Sequence, residues 1–92
     1  MIRNFRHKGL ERFFRTGSKA GIQPQHAERL RLQLTTLEHA VRPEDMKTPG
    51  WQFHRLTHDL AGFYSVSVSG NWRLIFRFEK TDAVDVNYVD YH

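Results

Sequence analysis

The stretch Phe63-Tyr64-Ser65-Val66-Ser67-Val68-Ser69-Gly70-Asn71-Trp72-Arg73-Leu74-Ile75-Phe76-Arg77-Phe78 holds two alternating runs on either side of Gly70-Asn71. Alternation puts every second side chain of an extended strand on one face. Tyr64, Val66 and Val68 therefore oppose Phe63, Ser65 and Ser67, and after the turn Trp72, Leu74, Phe76 and Phe78 oppose Arg73, Ile75 and Arg77. Gly-Asn between two such runs is a hairpin signal, because both residues tolerate the backbone angles of a two-residue turn. A second turn near Lys80-Thr81-Asp82 leads to a run that sets Val84, Val86 and Tyr88 against Asp85, Asn87, Val89 and Tyr91. The reading is an antiparallel meander with one apolar face, on which Trp72, Leu74, Phe76, Val84 and Val86 are buried together. From its open polar face Arg73, Arg77 and Tyr91 project.

An apolar sheet face needs a cover, and the first half of the chain supplies helices. Lys8 to Arg15 carries Leu10, Phe13 and Phe14 at helical spacing, and Gly17 stops it. Pro24 opens a longer segment in which Ala27, Leu30, Leu34, Leu37 and Val41 recur every three or four residues. Ile2 to Arg6 reads as a short edge strand. Pro43, Pro49 and Gly50 punctuate the connection, and the sheet begins after Trp51. The expected architecture is α+β, with the N-terminal helices packed on one face of an antiparallel sheet and residues 1–92 forming one domain.

Composition narrows the function classes. The 92 residues contain no cysteine, which removes disulfides, thiolate metal sites and cysteine nucleophiles. No apolar run marks a signal peptide or a membrane helix, so the expectation is a cytoplasmic protein with no membrane partner. Fourteen Lys and Arg against ten Asp and Glu give a net charge of +4. Residues 1–31 hold Arg3, Arg6, Lys8, Arg12, Arg15, Lys19, Arg29 and Arg31 against Glu11 and Glu28. This basic half suits a polyanion such as RNA, although a solvated helix surface has the same composition.

Six histidines raise the question of a metal, but the pattern argues against one. His54 and His58 lie four apart in a strand-to-turn region, where that spacing does not aim two imidazoles at one point, and no acidic cluster completes a site. His7, His26 and His39 read as surface or boundary residues. No phosphate-binding glycine loop or Gly-x-Ser-x-Gly elbow occurs. There remain proton-transfer and phosphate-binding groups: His54, Arg73, Asp90, Tyr91 and His92. RNA supplies its own nucleophile in the ribose 2′-hydroxyl, so metal-free cleavage needs one group to take a proton, one to give a proton, and a cation on the phosphate. Histidine suits the proton work and arginine the phosphate; Asp90 can orient an imidazole, and Tyr91 can stack on a base or donate a hydrogen bond. Each also has a plainer reading, as a strand residue, a surface cation or a frayed end.

The run Gly62 to Phe78, the closing Asn87-Tyr88-Val89-Asp90-Tyr91-His92 and the opening Ile2 to Leu10 together resemble the HigB-type toxins of the RelE-like family, over essentially the whole chain. The resemblance implies a RelE-like fold and ribosome-dependent cleavage of messenger RNA in the decoding site of the 70S ribosome, with no cofactor. It also implies a product ending in a 2′,3′-cyclic phosphate. His54, Arg73, Asp90, Tyr91 and His92 occupy the positions that carry activity in the family. Arg12, Arg15, Lys19, Arg29, Arg31, Arg55 and Arg77 are the expected RNA and ribosome contacts. The implied partner is a HigA-type helix-turn-helix antitoxin, through which operator DNA is reached. One departure stands out: relatives often continue from the histidine as His-Pro-Leu-Lys-Gly, whereas this chain reads His54-Arg55-Leu56-Thr57-His58. Thr57 thus replaces a lysine, and Arg55 or His58 is the nearest substitute for its charge. The rival readings are a non-catalytic module that blocks the ribosome by occupancy, and a structural companion of a DNA-binding antitoxin.

Overall fold

A computed structural model describes residues 1–91. Helix α1 spans Lys8–Thr16, α2 spans Ala27–His39, and the strands are β1 (His54–Arg55), β2 (Tyr64–Ser69), β3 (Trp72–Glu79) and β4 (Asp82–Asp90). The four strands form one antiparallel sheet in the order β1-β2-β3-β4. The expected α+β arrangement is therefore present, with both helices against the apolar face.

Local chemistry explains the helix limits. The His7 Nδ1 accepts the Leu10 N–H at 3.0 Å, capping α1. Gly17 ends that helix at φ 82°, and its N–H bonds to the Phe13 carbonyl. A 3₁₀ turn over Pro24–His26 leads into α2, whose Ala27, Leu30, Leu34 and Leu37 are buried. The helix does not reach Val41 as the spacing predicts. Ala40 adopts φ −70°, ψ 144°, an extended conformation, and Val41 is exposed. The main core joins Leu10, Phe13, Leu30, Leu34 and Leu37 to Val66, Leu74, Phe76, Val86 and Tyr88.

The hairpin turn falls at Gly70-Asn71, with Gly70 at φ 54°. The third run departs from strict alternation. Arg77 pairs with Val84 and Ile75 with Asn87, so β4 advances three residues while β3 advances two. The extra residue is absorbed at Asp85, at φ 53°, a left-handed conformation that Asp tolerates better than most residues. Asn4 fixes it by donating to Oδ1 and accepting the Asp85 N–H, each at 3.0 Å. Ala83, opposite Phe78, thus faces the helices, Val84 faces away with Arg77, and Val86 returns to the helix side. Val84 is buried, but not beside Val86 as strict alternation requires, and Trp72 is only half-buried against the core.

The β4 edge of the sheet is covered by the N-terminal segment. Ile2 and Phe5 bridge in parallel to Ala83 and Val86 of β4, so the expected edge strand is a pair of bridges rather than a regular element. On the other side β1 is only two residues long. The face away from the helices is not wholly open, because Leu56, Phe63 and Ile75 form a second small cluster there, with Leu60 and Val89 against it.

Candidate active site

Register defines the face opposite the helices. His54 pairs with Ser65, Ser65 with Ile75 and Ile75 with Asn87, making one row across the sheet. The next row toward the hairpin is Ser67, Arg73 and Val89. Beyond it, Tyr91 donates its N–H to the Asn71 carbonyl at 2.8 Å. His54, Arg73 and Tyr91 thus share the parity of one face. Strand spacing puts the Cα atoms of His54 and Arg73 about 12 Å apart and those of Arg73 and Tyr91 about 8 Å apart. Those spans suit long side chains converging on one phosphate. Asp90 pairs with Trp72 and has the opposite parity, at the exposed end of β4 beside the stacked rings of Trp72 and Tyr88. His92 lies outside the described residues.

His54 is exposed, and its Nδ1 lies 3.1 Å from the Gln52 carbonyl oxygen. A carbonyl only accepts, so this contact calls for the proton on Nδ1 and leaves Nε2 with a lone pair in the neutral ring. Gln52 and His58, on either side of this histidine, have left-handed φ values of 51° and 58°, a costly conformation for such residues that concentrates at functional sites. Arg73 curls toward the hairpin, donating to the carbonyls of Gly70 at 2.7 Å and Trp72 at 3.2 Å and to the Ser67 Oγ at 3.4 Å. It has no carboxylate partner among the described residues. Ser65 is fully buried between His54 and Ile75, and sequence reading gave it no role.

The other cations divide into distinct settings. Arg77 donates to Asp85 at 2.7 Å and to Glu79 at 3.0 Å, contacts that raise its pKa above the ordinary arginine value. The bond from Asn4, then that from Arg77, hold the Asp85 carboxyl below the usual carboxylate range. Arg29 bonds to the carbonyls of Gly50 and Ser67. Arg15 and Arg31 pair with Glu11 and Glu28 on their own helices. Arg55 lies over the Tyr64 ring at the sheet margin. Arg12 and Lys19 are exposed and have no ion pair among the described residues. The helical cations and the His54–Arg73 face therefore lie on opposite sides of the sheet.

His26 is not a surface residue. It is 5% exposed, with Nδ1 2.6 Å from the Tyr88 hydroxyl and its ring edge-on to Trp72. The Gln23 N–H also donates to that hydroxyl, and the imidazole tautomer sets which of His26 Nδ1 and the hydroxyl donates to the other.

A small antiparallel sheet covered on one face by two helices is the fold of a RelE-like toxin. The family model described as RelE-like toxin of type II toxin-antitoxin system HigB matches residues 3–92, and the chain belongs to that family. It is 35% identical to "Endoribonuclease HigB" of Proteus vulgaris over 92 residues, covering all of both chains. It is 33% identical over 95 residues to "Toxin HigB-1" of Vibrio cholerae, covering all of this chain and 98% of that one. No helix among the described residues is long and apolar enough to cross a membrane.

Proposed function

We propose that the protein is a ribosome-dependent endoribonuclease that cuts messenger RNA in the decoding site by acid–base catalysis without a metal. The observation that carries this reading is the placement of His54 and Arg73 on one sheet face, where among the described residues the histidine Nε2 has no hydrogen-bond partner and the arginine has no carboxylate partner. Family membership and the name of the Proteus relative support it. In the reaction the ribose 2′-oxygen loses its proton and attacks the adjacent phosphorus. The bond to the 5′-oxygen breaks, that oxygen takes a proton, and a 2′,3′-cyclic phosphate remains. His54 and His92 divide the two proton transfers. Arg73 neutralises charge on the phosphate, Tyr91 stacks on a base, and Asp90 orients the terminal histidine. A HigA-type helix-turn-helix antitoxin restrains the activity and links the toxin to operator DNA.

Primer extension on a defined message, with and without ribosomes, tests the proposal. New 5′ ends are expected only with ribosomes. Loss of a proton-transfer group costs about a hundred- to ten-thousandfold in rate, so His54→Ala, His92→Ala and His92→Gln should each abolish cleavage while leaving the protein folded. Arrested translation with intact message would replace cleavage by occupancy, and full cutting by both His92 variants would remove that residue from the mechanism.

A further inference from the structure

Every hydrogen-bonding group of Ser67 is engaged, each by a different part of the molecule. Its N–H donates to the Trp51 carbonyl at 2.7 Å. Its carbonyl accepts from the Gln33 Nε2 at 2.8 Å and from an Arg29 terminal nitrogen at 3.2 Å. Its Oγ accepts from Arg73 at 3.4 Å. The same Arg29 nitrogen also holds the Gly50 carbonyl at 2.9 Å. Ser67 stands where β2 and β3 shift register, Ser67 facing Arg73 and Ser69 facing Trp72. Strand parity puts its N–H and carbonyl on the edge that β1 is too short to cover.

These bonds have a geometric consequence for His54. Two residues of β1 pair with Ser65 and Tyr64, too short a ladder to fix the segment before them. The path from Gly50 to Gln52, whose carbonyl orients the His54 ring, depends on the bonds at Trp51 and Gly50. Arg73 is tied to the same serine from the other side. Gln33 is fully buried in α2, and its Oε1 and the Arg29 Nε are buried with no partner among the described residues. For stability alone, an apolar residue of similar size serves a helix core better than a half-satisfied amide. We propose that Gln33 and Arg29 are positioning residues: from α2, across the sheet, they fix Ser67 and through it the placement of His54 relative to Arg73. The inference rests on the cleavage reading for its functional meaning, and its structural half is measurable without RNA.

The test compares Gln33→Met, which keeps the volume and loses the donor, with Arg29→Lys, which keeps one donor, and with Leu34→Val. The last trims a fully buried side chain of the same helix that makes none of these polar contacts. Misplacement by about 1 Å costs on the order of a hundredfold in rate. Gln33→Met should therefore lower kcat on ribosome-bound message about 10- to 100-fold, with KM within about twofold and the far-UV spectrum retained. Arg29→Lys should fall between it and the parent, and Leu34→Val should keep the parent kcat. The Arg73 guanidinium ¹⁵N resonances should shift in Gln33→Met and not in Leu34→Val. Parent turnover with unmoved Arg73 resonances in Gln33→Met, or an equal loss in Leu34→Val, would overturn the proposal. If the parent protein leaves message intact on ribosomes, it is the cleavage reading that has failed, and the Arg73 resonances alone decide the positioning.

Discussion

Two histidines on the helix side are kept neutral by what they touch. His7 must keep the Nδ1 lone pair that caps α1, and burial lowers its pKa against the opposing pull of its backbone hydrogen bond. Burial lowers the pKa of His26 as well. Above about pH 6.5 both groups are neutral whether folded or unfolded, and their contribution to stability is intact. As the pH falls below that value the unfolded chain takes up protons first, so stability declines until the lowered folded-state values are crossed. Urea midpoints should drop between pH 7.5 and 5.5, and His7→Asn, which retains a capping oxygen without titrating, should flatten the decline. A midpoint that rises on acidification would contradict this account. The importance of these side chains was hard to read in sequence. Tyr88 lies 62 residues from His26, and a histidine cap has no spacing signature. Gln33 has the same difficulty, since a polar letter in an amphipathic helix reads as solvent-facing until its partner is known. His54 and Arg73 were legible because strand parity places them.

The elements are joined at points that periodicity does not register. Gly9, near the start of α1, lies against Gly21 in the loop before α2: a Cβ on Gly9 would come within 2.6 Å of the Gly21 carbonyl oxygen. Gly9→Ala should therefore destabilise by about 1–3 kcal/mol through overpacking, less up to about 1 kcal/mol returned by removing a helical glycine. For a domain of this size the melting temperature should fall by roughly 5 °C, and a calorimetric scan showing an increase would remove the contact from consideration. The hairpin and both helices were visible in advance because each repeats its pattern over several residues. The two residues of β1 repeat nothing, and the parallel bridges of Ile2 and Phe5 join positions more than 80 residues apart. At Asp85 one inserted residue breaks the period itself, which is why strict alternation puts Val84 on the wrong face.

At the scale of the molecule, charge is less polarised than along the chain. Arg3 and Arg6 of the basic half meet Glu79, Asp82 and Asp85 of the acidic end. On the helical side, Lys8 and Arg12 of α1 and Lys19 in the loop after it are exposed without an ion pair among the described residues. If the helical side contributes to ribosome association, Arg12→Glu with Lys19→Glu should weaken binding and lower the slope of log affinity against log salt by about one to two. The melting temperature and the antitoxin complex should be unaffected. Unchanged binding would assign the contact to the His54–Arg73 face alone. The bulge in β4 also bears on how such chains diverge. Side-chain direction alternates along a strand, so flattening the bulge while keeping Asp85 would invert the distal half, sending Asn87 and Val89 toward the helices and Tyr88 outward, whereas deleting Asp85 would leave every face as it is. A single-residue gap between Ala83 and Tyr91 in aligned descendants is therefore expected at the bulge and nowhere else in that strand.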